Sequence, residues 1–319
     1  MLPVEEPDSP PATAVVRFAK NELTTRCSQT VGTTASKPGF AVPPEALEDR
    51  RVPLTPISAE ATLNREGVEL MDLSAELAAA GVTAECNLRD SGTLAAIGGV
   101  LLTAVERRFG KRTIHLGDTS RISGGAKYGE ATLRDTGCSE LRSAHHAFHL
   151  DLFWPGVREI YEAESEEEAV RRTIQEYSLV WGDDLQRLGV SEAEAIPACL
   201  GRSGAMVQVW VALTPGAITQ QPLALMDRRY LSLSTESTAT LPIHFTGLNS
   251  TISLLKASAA ADSVAGVRML WRPSMRFGEA FVFLTTATPH SAVWVDGEPD
   301  VSRRSAEMRM LLIDDDAAA

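Results

Sequence analysis

Three residues stand out in this 319-residue chain: His149 and Asp151 of His149-Leu150-Asp151 and, far downstream, His290. A His-x-Asp pair with one distant His is the donor set of a mononuclear non-haem iron(II) site, two imidazoles and a carboxylate on one face of the metal. Three protein ligands leave coordination positions open for substrates. Arg303 and Arg304 follow His290 by thirteen and fourteen residues, at the head of a strand-like run to Ile313. An arginine there can hold the far carboxylate of a metal-bound 2-oxo acid through paired, charge-assisted hydrogen bonds.

Each piece has a plainer reading. A lone His-x-Asp is common in solvated loops, and a histidine at a strand end is often a surface or capping residue. The run Ala144-His145-His146-Ala147-Phe148-His149 places three histidines close together, so His145 or His146 remains open as a ligand. If the segment is a strand, period-two alternation puts His149 and Asp151 on one face. The same alternation separates Arg303, Ser305, Glu307 and Arg309 from Arg304, Ala306, Met308 and Met310.

The elements that must position these residues change character along the chain. Residues 1–12, with Pro3, Pro7, Pro10 and Pro11 among acids, read as a disordered tail. Residues 28–57 read as irregular. A helical pattern with room for one break runs from Ser58 to Ala80, with Gly81 as its stop. Asp90 or Ser91 caps a second helix through Phe109, ended by Gly110. Ser165-Glu166-Glu167-Glu168 offers a capping box before Ala169, Val170, Ile174, Tyr177 and Trp181 at helical spacing. Further on, the segments 206–213, 222–226, 230–233, 267–271, 280–286 and 308–313 are strand-like and separated by turn clusters. Short strands without a βαβ rhythm predict an antiparallel barrel or sandwich. The expected class is mainly β with flanking helices.

Bulk properties narrow the function. Apolar residues make up 44%, enough for a substantial core. A net charge of −12 and a pI near 5.1 disfavour nucleic acid or an anionic membrane as main partner. Four cysteines, Cys27, Cys86, Cys138 and Cys199, lie far apart and read as reduced thiols. With no leader-like opening, a cytoplasmic location is expected. The longest apolar run, Leu94 to Val105, falls short of the roughly 20 residues that a bilayer needs.

Three runs together resemble the iron(II)/2-oxoglutarate-dependent oxygenase superfamily, in its phytanoyl-hydroxylase-like or natural-product hydroxylase/desaturase branches. They are His149-Leu150-Asp151; Gln208-Val209-Trp210-Val211-Ala212-Leu213 with Gln221-Pro222-Leu223-Ala224-Leu225-Met226-Asp227; and Gly278-Glu279 through His290 to Arg309. They cover roughly residues 140–313, and nothing comparable is seen in the first 130. The resemblance implies a double-stranded β-helix (jelly-roll, cupin-like) core at about 140–313, within a single oxygenase domain over 13–319 whose part to about 135 is helical or irregular. It implies iron(II) on His149, Asp151 and His290, with 2-oxoglutarate as cosubstrate and O2 as oxidant. It implies Arg303 with Ser305, or else Arg304, as the clamp for the cosubstrate. Gln208 stands where many relatives carry Asn, and Trp210 serves equally well as core. Related halogenases replace the carboxylate ligand by a small residue, so Asp151 points to hydroxylation or desaturation.

The expected partner is a small-molecule, specialised-metabolite substrate, with no nucleic acid and no membrane; a homo-oligomer is compatible. Ser123 to Gly129, with Arg121 and Lys127, precedes the His-x-Asp pair and is a candidate pocket loop, though plain turn chemistry explains its glycines. The competing expectation is a cupin-like dioxygenase or isomerase that does without 2-oxoglutarate and has no use for Arg303.

Overall fold

The computed structural model describes residues 12–23, 31–32, 44–88, 90–116, 132–135, 147–176, 183–245, 248–258, 268–298 and 303–314. Its strands are β1 (Thr13–Ala19), β2 (Val31–Gly32), β3 (Leu47–Pro56), β4 (Val68–Asp72), β5 (Arg112–Leu116), β6 (Thr132–Asp135), β7 (His149–Leu150), β8 (Gly204–Ala212), β9 (Leu223–Met226), β10 (Thr238–Phe245), β11 (Leu248–Leu255), β12 (Met269–Trp271), β13 (Glu279–Leu284), β14 (His290–Ala292), β15 (Trp294–Val295) and β16 (Arg304–Ile313). The helices are α1 (Ser74–Ala79), α2 (Ser91–Phe109), α3 (Trp154–Tyr161), α4 (Glu166–Glu176), α5 (Asp183–Arg187) and α6 (Glu192–Cys199).

The strands form two sheets. The larger runs β15-β1-β3-β12-β9-β14-β7-β11-β10-β2, and the smaller runs β4-β13-β8-β16-β5, with β6 also on β16. Isolated bridges from Arg17 to Ala147 and from Ala19 to Lys256 bring β1 back toward the β7–β11 side, so the large sheet curls on itself. The stacked rings of Phe18 and Phe148, 5.6 Å apart, pack in the core of that curl with Val16, Met226 and Met269. Between the two sheets, Trp210, Phe281 and Phe283 of the small sheet meet Leu223, Leu225 and Leu270 of the large one. This is the mainly β, jelly-roll class with flanking helices.

Helices buttress the small sheet. Leu77, Ile97, Leu101 and Val105 of α1 and α2 pack on Val207, Val209, Val211, Met308 and Met310. Burial on both faces explains why β8 reads as a continuous apolar run rather than an alternating one. Helix α2 has the bounds its sequence dictates. The Asp90 carboxylate accepts from Thr93 N–H at 2.8 Å, and Gly110 closes the helix in the left-handed region at φ 60°. At α4 the Ser165 hydroxyl accepts from Glu168 N–H, but the Glu168 carboxylate turns to the Glu164 N–H at 2.7 Å.

Three sequence expectations need correction. The stretch 58–80 is not one broken helix, because residues 68–72 form β4, paired antiparallel with β13, and only Ser74–Ala79 is helical. Gly67, at φ 83° with Thr288 Oγ1 2.5 Å from where a Cβ would sit, sets the turn into that strand. Residues 47–56, taken as irregular, are β3, in register with β1 from Thr13↔Pro53 to Ala19↔Leu47. Residues 230–233 are not a strand: the Asp227 carboxylate accepts from Arg229 N–H and turns the chain into a 3-10 turn over Arg228–Tyr230. More broadly, the first 116 residues supply strands to both sheets as well as helices. Residues 1–11 of the expected 1–12 tail, the 123–129 loop with Arg121 and Lys127, and Tyr177, Trp181, Cys27 and Cys138 lie outside the described residues. Among the described residues no helix is long and apolar enough to cross a membrane.

Candidate metal centre

His149 and His290 stand directly opposite one another on the antiparallel pair β7–β14. Their rings lie 4.4 Å apart between centroids, and both residues are buried. Asp151 follows immediately after β7, on the His149 face, and its Oδ2 lies 3.9 Å from His290 Nε2. One ligand atom from each of the three residues lies within 4.8 Å of the others. His145 and His146, the alternative ligands, fall outside the described residues, and buried His115 sits on β5 opposite Met310.

The tautomers suit a cation. His149 Nδ1 meets the Ala147 carbonyl at 2.8 Å, and His290 Nδ1 meets the Thr288 carbonyl at 3.3 Å. A carbonyl only accepts, so each Nδ1 carries a proton, and in a neutral ring that leaves the lone pair on Nε2; this is the usual support for a metal-bound imidazole. Burial, reinforced by His149 and only partly opposed by Asp151, lowers the His290 pKa to about 3. His290 is therefore neutral, as a ligand must be. Burial pushes the Asp151 carboxyl up, but Arg309 above all, then His290 and His149, outweigh it and hold the group well below the usual carboxylate range. Asp151 Oδ2 is buried and accepts no hydrogen bond. Two imidazoles with Nδ1 tied to carbonyls and an ionised carboxylate with an unsatisfied oxygen fit a hard-to-borderline divalent cation such as iron(II).

The facing surface belongs to the small sheet. Arg303 is buried just before β16; its Nη1 donates to Ser305 Oγ at 3.2 Å, and its guanidinium lies 4.9 Å over the Trp210 ring. Ser305 is fully buried, opposite Ala212. Gln208, two residues before Trp210 and on the same face of β8, donates through Nε2 to Glu307 at 3.4 Å, while its Oε1 is buried without a partner. Phe283 packs against the His290 ring at 4.6 Å. Arg304 points the other way and donates to the Ala84 carbonyl at 2.8 Å. The structure thus gathers His149, Asp151 and His290, sets Arg303 with Ser305 and Gln208 on the inner face of the small sheet, and leaves Arg304 out.

Two neighbours escaped the sequence reading. Arg309 Nη2 contacts Asp151 Oδ1 at 3.0 Å, and Phe283 walls His290. Alternation from Arg303 along β16 marks Arg309 as inward, but which residue it meets depends on how the two sheets stack.

No protein-family model matches the sequence, and no curated protein does. Solved structures do match. A variant of the "iron and alpha-ketoglutarate-dependent endoperoxidase NvfI" gives a TM-score of 0.62 at 13% identity, covering 97% of this chain and 99% of that one. The chain has that fold. NvfI itself gives 0.58 at 14% identity over 95% and 97% of the two chains, and NvfI in a different conformation gives 0.59 at 14% identity over 96% and 99%. The match runs the length of the chain, so the strands of the first 116 residues belong to the shared architecture.

Proposed function

We propose that this chain is a non-haem iron(II), 2-oxoglutarate-dependent oxygenase that hydroxylates or desaturates a small specialised-metabolite substrate. The observation that carries the reading is the convergence of His149, Asp151 and His290 between two sheets, with Arg303 buried on the sheet that faces them. The likeness to the NvfI structures agrees with it in fold.

In this reading His149, Asp151 and His290 hold the iron. When bound, iron(II) with 2-oxoglutarate and O2 supplies an oxidant able to take hydrogen from an unactivated C–H bond, with release of succinate and CO2. The chain's own residues bind, orient and shield. Arg303 and the Ser305 hydroxyl take the far carboxylate of the oxo acid, and the Trp210 ring supports the flat guanidinium from one side. The unpartnered Gln208 Oε1 offers an acceptor on the same wall. Phe283 keeps water from one side of His290. A competing metal enzyme with no oxo acid gives no role to a buried arginine and serine on that face.

Anaerobic addition of Fe(II) and then 2-oxoglutarate to the metal-free protein tests this. The expected result is a visible charge-transfer band that needs both additions. Iron binding with no band on adding the oxo acid overturns the cosubstrate assignment, and no iron binding overturns the reading altogether.

A further inference from the structure

We infer that Arg309 is a positioning residue of the metal site, holding Asp151 so that a single carboxylate oxygen, Oδ2, is presented to the metal. The inference rests on the metal-site reading above and deepens it. Arg309 Nη2 lies 3.0 Å from Asp151 Oδ1 and hydrogen-bonds it. The other oxygen, Oδ2, is buried, accepts nothing, and is the one that faces His290 Nε2. The two oxygens of one carboxylate are therefore already divided between two tasks.

The division has a mechanical basis. Asp151 lies just past a strand of two residues, so little backbone pairing fixes its orientation. Arg309 stands in the middle of β16, which has ten residues. It pairs with Gln208 of β8 on one side and Leu116 of β5 on the other. The rigid strand of one sheet thus orients the short, loosely held ligand of the other. The side chains of Arg309 and Asp151 are only 21% and 17% exposed, so the contact is poorly screened by solvent.

An arginine suits the task. It stays charged at any working pH, and its planar fork fixes direction as well as distance. It also compensates the Asp151 charge when no metal is bound; a buried carboxylate lacking a partner is costly. With Oδ1 engaged, Asp151 gives one donor atom. Two imidazole nitrogens and one oxygen then leave room for a chelating oxo acid and O2. A carboxylate free to bind through both oxygens would take one of those positions.

Cobalt(II) titration of the full-length, metal-free protein tests the inference without turnover, reading affinity and the visible ligand-field bands. Arg309→Met is expected to weaken Co(II) binding roughly 10- to 100-fold, the usual effect of losing a partner that orients a ligand, and to alter the bands. Arg309→Lys, which keeps a charge and a donor, is expected to recover most of the affinity. If Arg309→Met fails to fold, Arg309→Gln, which keeps a donor without charge, is compared with Arg309→Lys in the same assay. Met or Gln variants with wild-type affinity and wild-type bands overturn the role of Arg309. Failure of the wild-type protein itself to bind Co(II) or Fe(II) overturns the metal site, and the inference with it.

Discussion

Arg303 and Arg304 are adjacent in the chain and serve opposite faces of the small sheet. Arg303 is buried beside Ser305 under the Trp210 ring, while Arg304 donates to the Ala84 carbonyl on the helical side. Period-two alternation alone produces the split. It makes a sharp prediction for 2-oxoglutarate binding, read by calorimetry on the iron-loaded, oxygen-free protein. If Arg303 is the clamp proposed above, Arg303→Ala loses the charged half of a salt-bridged pair, worth about 1.5–3 kcal/mol, so affinity falls roughly 10- to 100-fold with iron still bound. Arg304→Ala leaves that affinity within about twofold. Equal losses in both variants would mean that neither residue is the clamp.

The buried donors also make the metal-free protein sensitive to acid. His290 has a folded pKa near 3 against 6.5 for a free side chain. Between those values the unfolded chain binds a proton that the folded one refuses, so stability falls as pH drops from about 6.5 toward 3. Asp151 acts in the same direction lower down: its folded pKa is depressed, so its contribution is present above the free-carboxylate value of 3.8 and is lost below it. One proton of difference corresponds to about 1.4 kcal/mol per pH unit. Urea midpoints measured from pH 7 to pH 4 should show this decline, and His290→Asn should flatten it by up to one proton. An unchanged slope in that variant would place the acid sensitivity elsewhere.

What the sequence made legible follows from the range of the signals. The caps of α2, Asp90 and Gly110, act within one turn and predict its bounds. The apolar runs of β8 and β13 mark buried strands whatever their partners. The order His149, Asp151, His290, Arg303 is a property of the chain itself. Strand β3 carries no such local mark: Leu47-Glu48-Asp49-Arg50-Arg51 is a mixed, half-buried to exposed sequence, made a strand by pairing with β1, from Ala19↔Leu47 to Thr13↔Pro53. Residues 68–72 have helix-compatible composition and are extended because the β13 edge is there to pair with. The Arg309–Asp151 contact depends on two registers and the stacking of two sheets, and single-strand periodicity supplies only which way Arg309 points.

Close approach of α3 to the large sheet offers a test of packing behind the site. Gly156 is so near β10 that a Cβ there would lie 1.8 Å from Thr240 Oγ1 and 2.8 Å from Thr240 Cβ. Helix α3 begins three residues after Asp151, so this contact anchors the segment that carries the ligand. Gly156→Ala should cost about 1–3 kcal/mol by overpacking, seen as a lower urea midpoint. Adding Thr240→Ala removes the nearest clashing atom, so the double variant should be more stable than the sum of the single losses. Strict additivity would show that the helix and strand relax independently.

Cysteine chemistry distinguishes folded from unfolded protein without touching the metal site. Cys199 is buried at the end of α6, and burial pushes its thiol pKa up to about 12. The thiolate is the reactive form, so at pH 8 Cys199 is doubly protected, by access and by protonation. Peptide-resolved iodoacetamide labelling should leave Cys199 unmodified in native buffer and modify it fully in denaturant. Native labelling at a rate near that of a free thiol would contradict the packing of α6 against β8 and β16.

Asp151→Ala separates the proposed metal ligand from its proposed support. It deletes the one anionic donor and leaves the Arg309 charge facing two imidazoles, so binding is lost both through a missing bond and through added repulsion. The loss in Co(II) or Fe(II) affinity should exceed the roughly 100-fold upper end expected for a supporting residue alone. Asp151→Asn keeps the shape and an oxygen but not the charge, and should fall between Arg309→Met and Asp151→Ala. That ordering follows from assigning Oδ2 to the metal and Oδ1 to the guanidinium. An Asp151→Ala protein that still binds iron as tightly as wild type would require another carboxylate as ligand, and with it a different centre from the one built on His149 and His290.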